Sequence, residues 1–253
     1  MQTALRHLEP GGGTRLAFCR ADGTLPEVVF LTGFRSDMTG AKALRLEEHC
    51  RKAGRAFTRF DYRGHGASSG SFEEGCVGDW LEDALAVLDG VVEGRPCVLA
   101  GSSMGGWIAL LAALARPGQV RGLVGIAAAP DFTEDLVRAR LSPEQARALE
   151  RDGVFLAPSA YGEPVPITRR LVEDGAGRLL LRGGRIPLRI PVHLLHGQGD
   201  PDVPWRTALR LAARLEGGAV TVELVGDGDH RLSREEDLRR VTAAAERVLA
   251  QAA

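Results

Sequence analysis

The hexapeptide Gly101-Ser102-Ser103-Met104-Gly105-Gly106 lies directly between an apolar strand-like run, 98–100, and a helix-like run, 107–115. Few sequences can reverse a strand into a helix over so short a span, and this one does it around a serine. In a G-x-S-x-G turn the serine occupies strained backbone that lifts its hydroxyl above a sheet. The glycines two residues to either side let neighbouring backbone approach. Only Ser103 has both glycines in register, since Ser102 would need them at Ala100 and Met104. The pentapeptide alone also suits an ordinary glycine-rich turn, so its meaning depends on partners elsewhere in the chain.

The rest of the sequence supplies the sheet. Strand-like runs fall at 15–19, 28–32, 56–61, 97–101, 120–127, 192–197 and 220–225, and helical spacing at 42–52, 77–92, 107–114, 207–215 and 235–251. This alternation predicts an α/β fold with a mostly parallel central sheet and helices on both faces, binding its ligand outside the carboxyl ends of the strands. A chain of 253 residues can form one such domain. The rhythm breaks over about 131–187, where helical patterns at 131–140 and 142–151 flank a Pro- and Gly-rich stretch, 157–166. We expect a small helical cap insertion there. Its Phe132, Leu136, Leu141, Leu149, Val154, Phe155, Leu156 and Tyr161 would roof an acyl site, the alternative being helices that cover the sheet without touching substrate.

Two further strand-end loops carry the partners that Ser103 needs. The first runs His196-Gly197-Gln198-Gly199-Asp200-Pro201-Asp202, and the second Gly226-Asp227-Gly228-Asp229-His230-Arg231. A hydroxyl is a poor nucleophile until an imidazole takes its proton, and the imidazole needs a carboxylate on its other nitrogen. Ser103, Asp200 and His230 meet that need in the chain order Ser, Asp, His. Asp202 is the alternative acid, while Asp227 and Asp229 are expected to shape the turn. An oxyanion hole would take the backbone N–H groups of Met104, after the serine, and of Phe34, in the loop Leu31-Thr32-Gly33-Phe34. Arg35 and Arg231, beside Phe34 and His230, are candidate substrate contacts.

Other polar groups suggest less. His193 and His196 have a spacing that invites a metal reading, but residues three apart on a strand point to opposite faces, so no metal site is expected. The turn Asp61 to Gly66 should pin neighbouring loops, with His65 on a surface turn or lining the cleft. The formal net charge of −1 gives no field to draw nucleic acid. The four cysteines are too sparse for a disulfide framework, and no apolar stretch is long enough to span a membrane. Residues 1–20 lack signal-peptide character, and no Arg-rich leader precedes the first strand. The expected setting is therefore soluble, reducing and cytoplasmic.

Taken together, Phe30-Leu31-Thr32-Gly33-Phe34, Arg59-Phe60-Asp61-Tyr62, Gly101-Ser102-Ser103 with Gly105-Gly106-Trp107, His196-Gly197 with Asp200 and Val203-Pro204-Trp205, and Asp229-His230-Arg231 closely resemble the α/β-hydrolase fold superfamily. Within it they are most similar to the branch of mitochondrial α/β-hydrolase-domain thioesterases that act on palmitoyl-proteins and acyl-glucuronides. The resemblance spans roughly residues 28–250, and by it the nucleophile, acid and base fall on Ser103, Asp200 and His230. It departs at Thr32, where many such chains have histidine, and it is loosest over the cap. It implies a serine esterase or thioesterase that forms an acyl-enzyme and needs no cofactor, acting on a small-molecule or lipid-like ester, or an acylated protein. The alternatives are acyl transfer by the same residues, or a hydrolase-fold protein that binds ligand without turnover.

Overall fold

The computed structural model describes residues 3–158 and 162–252. Its elements in chain order are β1 (Leu5–Gly11), β2 (Thr14–Ala21), β3 (Thr24–Leu31), α1 (Ala41–Lys52), β4 (Arg55–Phe60), α2 (Val77–Gly90), β5 (Cys97–Ser102), α3 (Met104–Ala115), β6 (Val120–Ile126), α4 (Pro143–Asp152), β7 (Val154–Ala157), β8 (Val165–Thr168), α5 (Arg169–Ala176), β9 (Val192–Gly197), α6 (Arg206–Arg214), β10 (Val220–Val225) and α7 (Glu235–Ala252). Eight strands form one sheet in the order β1-β2-β4-β3-β5-β6-β9-β10. The pairs β1·β2 and β2·β4 are antiparallel, and the rest of the sheet is parallel.

Side-chain alternation along the strands builds a core on each face. Val29 and Leu31 of β3 join the cluster that contains Trp80 of α2 and Trp107 of α3, while Val28 and Phe30 join Leu46 of α1 and Val241 of α7. Every residue of β5 is buried, as a central strand covered on both sides requires. From β3 the chain passes through α1 to β4 on one side; β5 then pairs with β3 on the other side and leads into α3. The loops after β3 and β5 therefore diverge, and they leave a crevice at the carboxyl ends of these two strands.

The expected strands and helices are present, with differences at β1, at the start of α3, at residues 131–140, and in β7, β8 and α5, which were not anticipated. β1 was not anticipated: its burial is slight, so it lacks the apolar alternation that marks a strand. α3 begins at Met104 rather than 107, because glycines at 105 and 106 depress helix propensity and hide the first turn. Residues 131–140 do not form an α-helix but a π-type turn, Thr133–Val137, followed by a 3₁₀ turn, Arg138–Arg140.

Between β6 and β9 the chain adds α4, the antiparallel hairpin β7·β8 and α5. Ser142 caps α4 by accepting the Gln145 N–H, while the Gln145 side chain accepts the Ser142 N–H, and Thr168 caps α5. Buried Asp131, at φ 61°, closes the base of this segment by accepting the N–H groups of Leu180 and Leu181 at 2.7 and 2.8 Å. Tyr161 lies outside the described residues.

Candidate active site

Ser103 follows β5 with φ 54° and ψ −119°, backbone that is unfavourable for any residue with a Cβ. The flanking glycines make room for it. A methyl group on Gly101 would fall on the Gly105 carbonyl, and one on Gly105 would fall on the Leu31 and Thr32 carbonyls. These obstacles are backbone and cannot move aside. Ser103 Oγ lies 3.1 Å from His230 Nε2, and His230 Nδ1 lies 2.7 Å from Asp200 Oδ2. A carboxylate only accepts, so Nδ1 carries the ring proton and Nε2 presents its lone pair to the hydroxyl. Asp229 and Asp227 serve the turn, Asp229 by accepting the Leu232 N–H and Asp227 by pairing with Arg234.

Asp200 is fully enclosed and receives four hydrogen bonds. The N–H groups of Asp202 and Val203 donate to Oδ1, each at 2.8 Å, and His230 and His196 meet Oδ2. Burial alone would raise its pKa, but the imidazole hydrogen bonds and those of the backbone outweigh that effect. The carboxyl is held well below the usual carboxylate range. Asp202 lines the adjoining cavity and is not the carboxylate bonded to His230. Asp200, Asp202 and His230 offer ligand atoms within 4.8 Å of one another, but a cation there would have to displace the bond between Asp200 and His230.

Met104 and Phe34, the residues whose backbone N–H groups were expected to form the oxyanion hole, line the same cavity as Ser103. Met104 is the first residue of α3 and has no carbonyl a turn earlier in the helix to bond. The Phe34 N–H makes no hydrogen bond among the described residues. Gly33 sits against the elbow, where an added methyl would approach the Ser103 Cβ to 3.4 Å. The Phe34 ring is wedged against Phe72, Trp80 and Phe132.

A cavity of about 820 Å³ opens over these groups, and Ser103, His230, Met104 and Phe34 all line it. Of the anticipated apolar roof, Phe132 and Leu136 line the cavity, joined by Val165. Leu149 and Phe155 instead bury into the core, and Leu156 is exposed. Arg35 and Arg231 both line the cavity, but the Arg35 guanidinium is engaged by the carbonyls of Glu163 and Pro164 at 3.3 and 3.1 Å and lies over the Phe72 ring.

Three groups were not anticipated from sequence in the positions they take. Lys42, in the first turn of α1, lines the cavity and donates to the Arg231 carbonyl. Burial, reinforced by the Arg231 charge, brings its ammonium down to about 8. His196 touches Asp200; its signal was its place four residues before the acid. His65 is neither a surface residue nor part of the cavity wall. It is buried against Tyr62, Phe72 and Trp80, and burial lowers its pKa. The neighbouring Asp61 does pin loops, accepting the N–H groups of Met38 and Ala67.

A sheet whose strand order reverses at β3 and β5, with a strained serine turn at that reversal, is the sheet of an α/β-hydrolase. Within that class, the family model described as serine aminopeptidase, S33, matches residues 26–156, and the chain belongs to this family of hydrolases. The mouse protein named palmitoyl-protein thioesterase ABHD10, mitochondrial, is 41% identical over 225 residues, which cover 88% of this chain and 75% of the mouse protein. Among solved structures, a putative hydrolase from Agrobacterium vitis S4 is similar with a TM-score of 0.92 at 40% identity, over 98% of each chain. Mouse α/β hydrolase domain-containing protein 10 gives a TM-score of 0.90 at 36% identity, covering 99% of this chain and 100% of that one.

Proposed function

We propose that this hydrolase cleaves carboxylic esters and thioesters by two-step acyl transfer, with Ser103 as nucleophile, His230 as general base and acid, and Asp200 orienting the imidazole. The observation that carries the reading is the continuous hydrogen-bonded chain from Ser103 through His230 to Asp200 at the wall of the cavity. His230 Nε2 takes the Ser103 proton as Oγ attacks the substrate carbonyl. The N–H groups of Met104 and Phe34 stabilise the oxyanion, and the protonated imidazole then gives its proton to the departing alcohol or thiol. Water repeats the sequence on the acyl-enzyme.

The chain acts as a single α/β-hydrolase domain in which residues 131–187 form a cap. The apolar wall of Phe132, Leu136 and Val165 takes the acyl chain. Arg35 and Arg231 supply positive charge toward a leaving group bearing carboxylate or phosphate, although Arg35 also tethers the cap through Glu163 and Pro164. The thioesterase name of the mouse relative supports thioesters, acyl-protein thioesters included, as substrates. All four cysteines are buried free thiols, which supports a reducing compartment; we assign the cytoplasm, although the relative's name carries "mitochondrial". No helix among the described residues is long and apolar enough to cross a membrane.

The decisive experiment couples labelling to turnover. A fluorophosphonate should label Ser103, and Ser103→Ala should abolish labelling and lower kcat for p-nitrophenyl esters and acyl thioesters by about 10⁴ or more. Label on Ser102, or undiminished turnover in the variant, refutes the assignment. Products formed with and without an added alcohol separate hydrolysis from acyl transfer. Kinetics on matched neutral and anionic esters test the arginines, which have no such role if Arg35→Ala and Arg231→Ala leave kcat/KM for the anionic ester unchanged.

A further inference from the structure

His196 is the residue before the last of β9, and its side chain is 1% exposed. Its Nε2 stands 3.1 Å from Asp200 Oδ2 and 3.0 Å from the Val203 carbonyl oxygen. A carbonyl can only accept, so Nε2 carries a proton and shares it between the two oxygens. The other ring nitrogen, Nδ1, is buried with no hydrogen-bond partner among the described residues. A proton there would be a buried, unsatisfied donor, so the geometry puts the ring proton on Nε2. Leaving that nitrogen unsatisfied destabilises the fold, and a leucine would escape the cost. The strand is apolar at the preceding positions, Leu194 and Leu195, so packing alone does not call for an imidazole here.

We propose that His196 is a positioning residue of the reaction: its Nε2–H clamps the Asp200 carboxylate to the Val203 carbonyl and shares with His230 the oxygen on which His230 is oriented. The inference rests on the roles given above to Asp200 and His230. Asp200 Oδ1 is fixed by two backbone N–H groups, but without His196 the only hydrogen bond to Oδ2 among the described residues would come from His230 itself. The oxygen that orients the base would then be held chiefly by the base itself. The second imidazole breaks that circle.

The clamp also has an electrostatic consequence. A donor on Oδ2 withdraws negative charge from the oxygen facing His230. Removing it favours the protonated base, so the acid limb of the kcat/KM profile moves to higher pH. Other charged groups surround this pair. Asp202 lies within ligand distance of both, Asp229 and Arg231 flank His230, Lys42 holds the Arg231 carbonyl, and Asp37 and Glu163 line the cavity. On the packed helices, Arg206 lies over Trp205, Arg210 pairs with Asp135, and Asp237 pairs with Arg234. On β10, Glu223 is held by His193, Arg240 and Arg247. All of these remain when His196 alone is changed.

The test compares His196→Leu, which fills the space without a donor, with His196→Gln, which restores an N–H near the Nε2 position. For p-nitrophenyl ester hydrolysis, His196→Leu should lower kcat by about 10- to 100-fold with KM nearly unchanged. It should also raise the acid limb by about 0.5 in pH. His196→Gln should recover most of both. Leucine behaving as wild type, or glutamine as impaired as leucine with an unmoved limb, would overturn the proposal. Should either variant fail to fold, nitrogen-15 histidine spectra of the wild-type protein decide: the His196 proton must sit on Nε2, and a proton on Nδ1 alone overturns the clamp. A wild-type protein that turned over no ester or thioester would remove the proposed function, while the tautomer measurement would still report on His196.

Discussion

Two carboxylates only two residues apart compete for one imidazole, and backbone geometry separates them. Asp200 Oδ1 accepts the Asp202 N–H while Oδ2 reaches His230, which commits Asp200 inward and leaves Asp202 on the cavity wall. Asp200→Asn should therefore lower kcat by about 10⁴ by destroying the tautomer that Ser103 needs, whereas Asp202→Asn should cost far less; the reverse ranking in two folded variants would move the acid to Asp202. A second prediction concerns Lys42. Its ammonium falls from the ordinary 10.5 to about 8, so between those values the unfolded chain holds a proton that the folded chain has lost. Stability then rises with pH through that window, and below about 8 the penalty of burying the charge is fully present. Urea midpoints measured from pH 7.5 to about 10.5 should show this rise in wild type relative to Lys42→Met; parallel curves would refute it. Ser103, Asp200 and His230 were legible in the sequence because each lies in a local turn motif at a strand end. Lys42 was not, since its significance lies in what the fold brings beside it, and His196 carried only its place four residues before the acid.

At the scale of elements, strands covered on both faces announce themselves as apolar runs, and β3, β5, β6 and β9 were legible for that reason. β1 lies at the sheet edge and is largely exposed, so it carries no such signal. The segment between β6 and β9 was legible as an interruption but not as a shape. The amphipathic pattern at 131–140 satisfies a π-type turn and a 3₁₀ turn, and the β7·β8 hairpin is too short for a period-2 pattern to stand out. The consequence for function is that the apolar wall is narrower than the sequence suggested, resting on Phe132, Leu136 and Val165. If that wall seats the acyl chain, Leu136→Ala should reduce kcat/KM for octanoyl esters by about tenfold, or about 1.4 kcal/mol, and leave acetyl esters nearly unchanged. Equal losses on both would show that Leu136 supports the fold rather than the chain.

At the scale of the whole molecule, the segment between β6 and β9, which we propose as a cap, does not have a core of its own. Leu149 of α4, Phe155 of β7, Ile167 of β8 and Leu171 of α5 belong to the same buried cluster as Trp80 and Trp107. Asp79 and the Gly78 N–H at the start of α2 bind Arg170 and Asp174 of α5, which ties the cap to a helix of the main sheet. Arg35 joins it from the loop that carries Phe34. A lid that opened as a rigid body would have to expose this shared apolar surface, at about 25 cal/mol per Å². The expectation is that the cap and the sheet lose structure together. In urea, loss of ester hydrolysis, tryptophan emission and far-ultraviolet circular dichroism should follow one transition. Leu149→Ala, which empties a buried site in the cap, should shift all three equally by about 2–5 kcal/mol. If Leu149→Ala instead abolished activity at a urea concentration where tryptophan emission and circular dichroism remained native, the cap would be a separately unfolding unit. Substrate entry would then require its opening rather than passage through the cavity mouth.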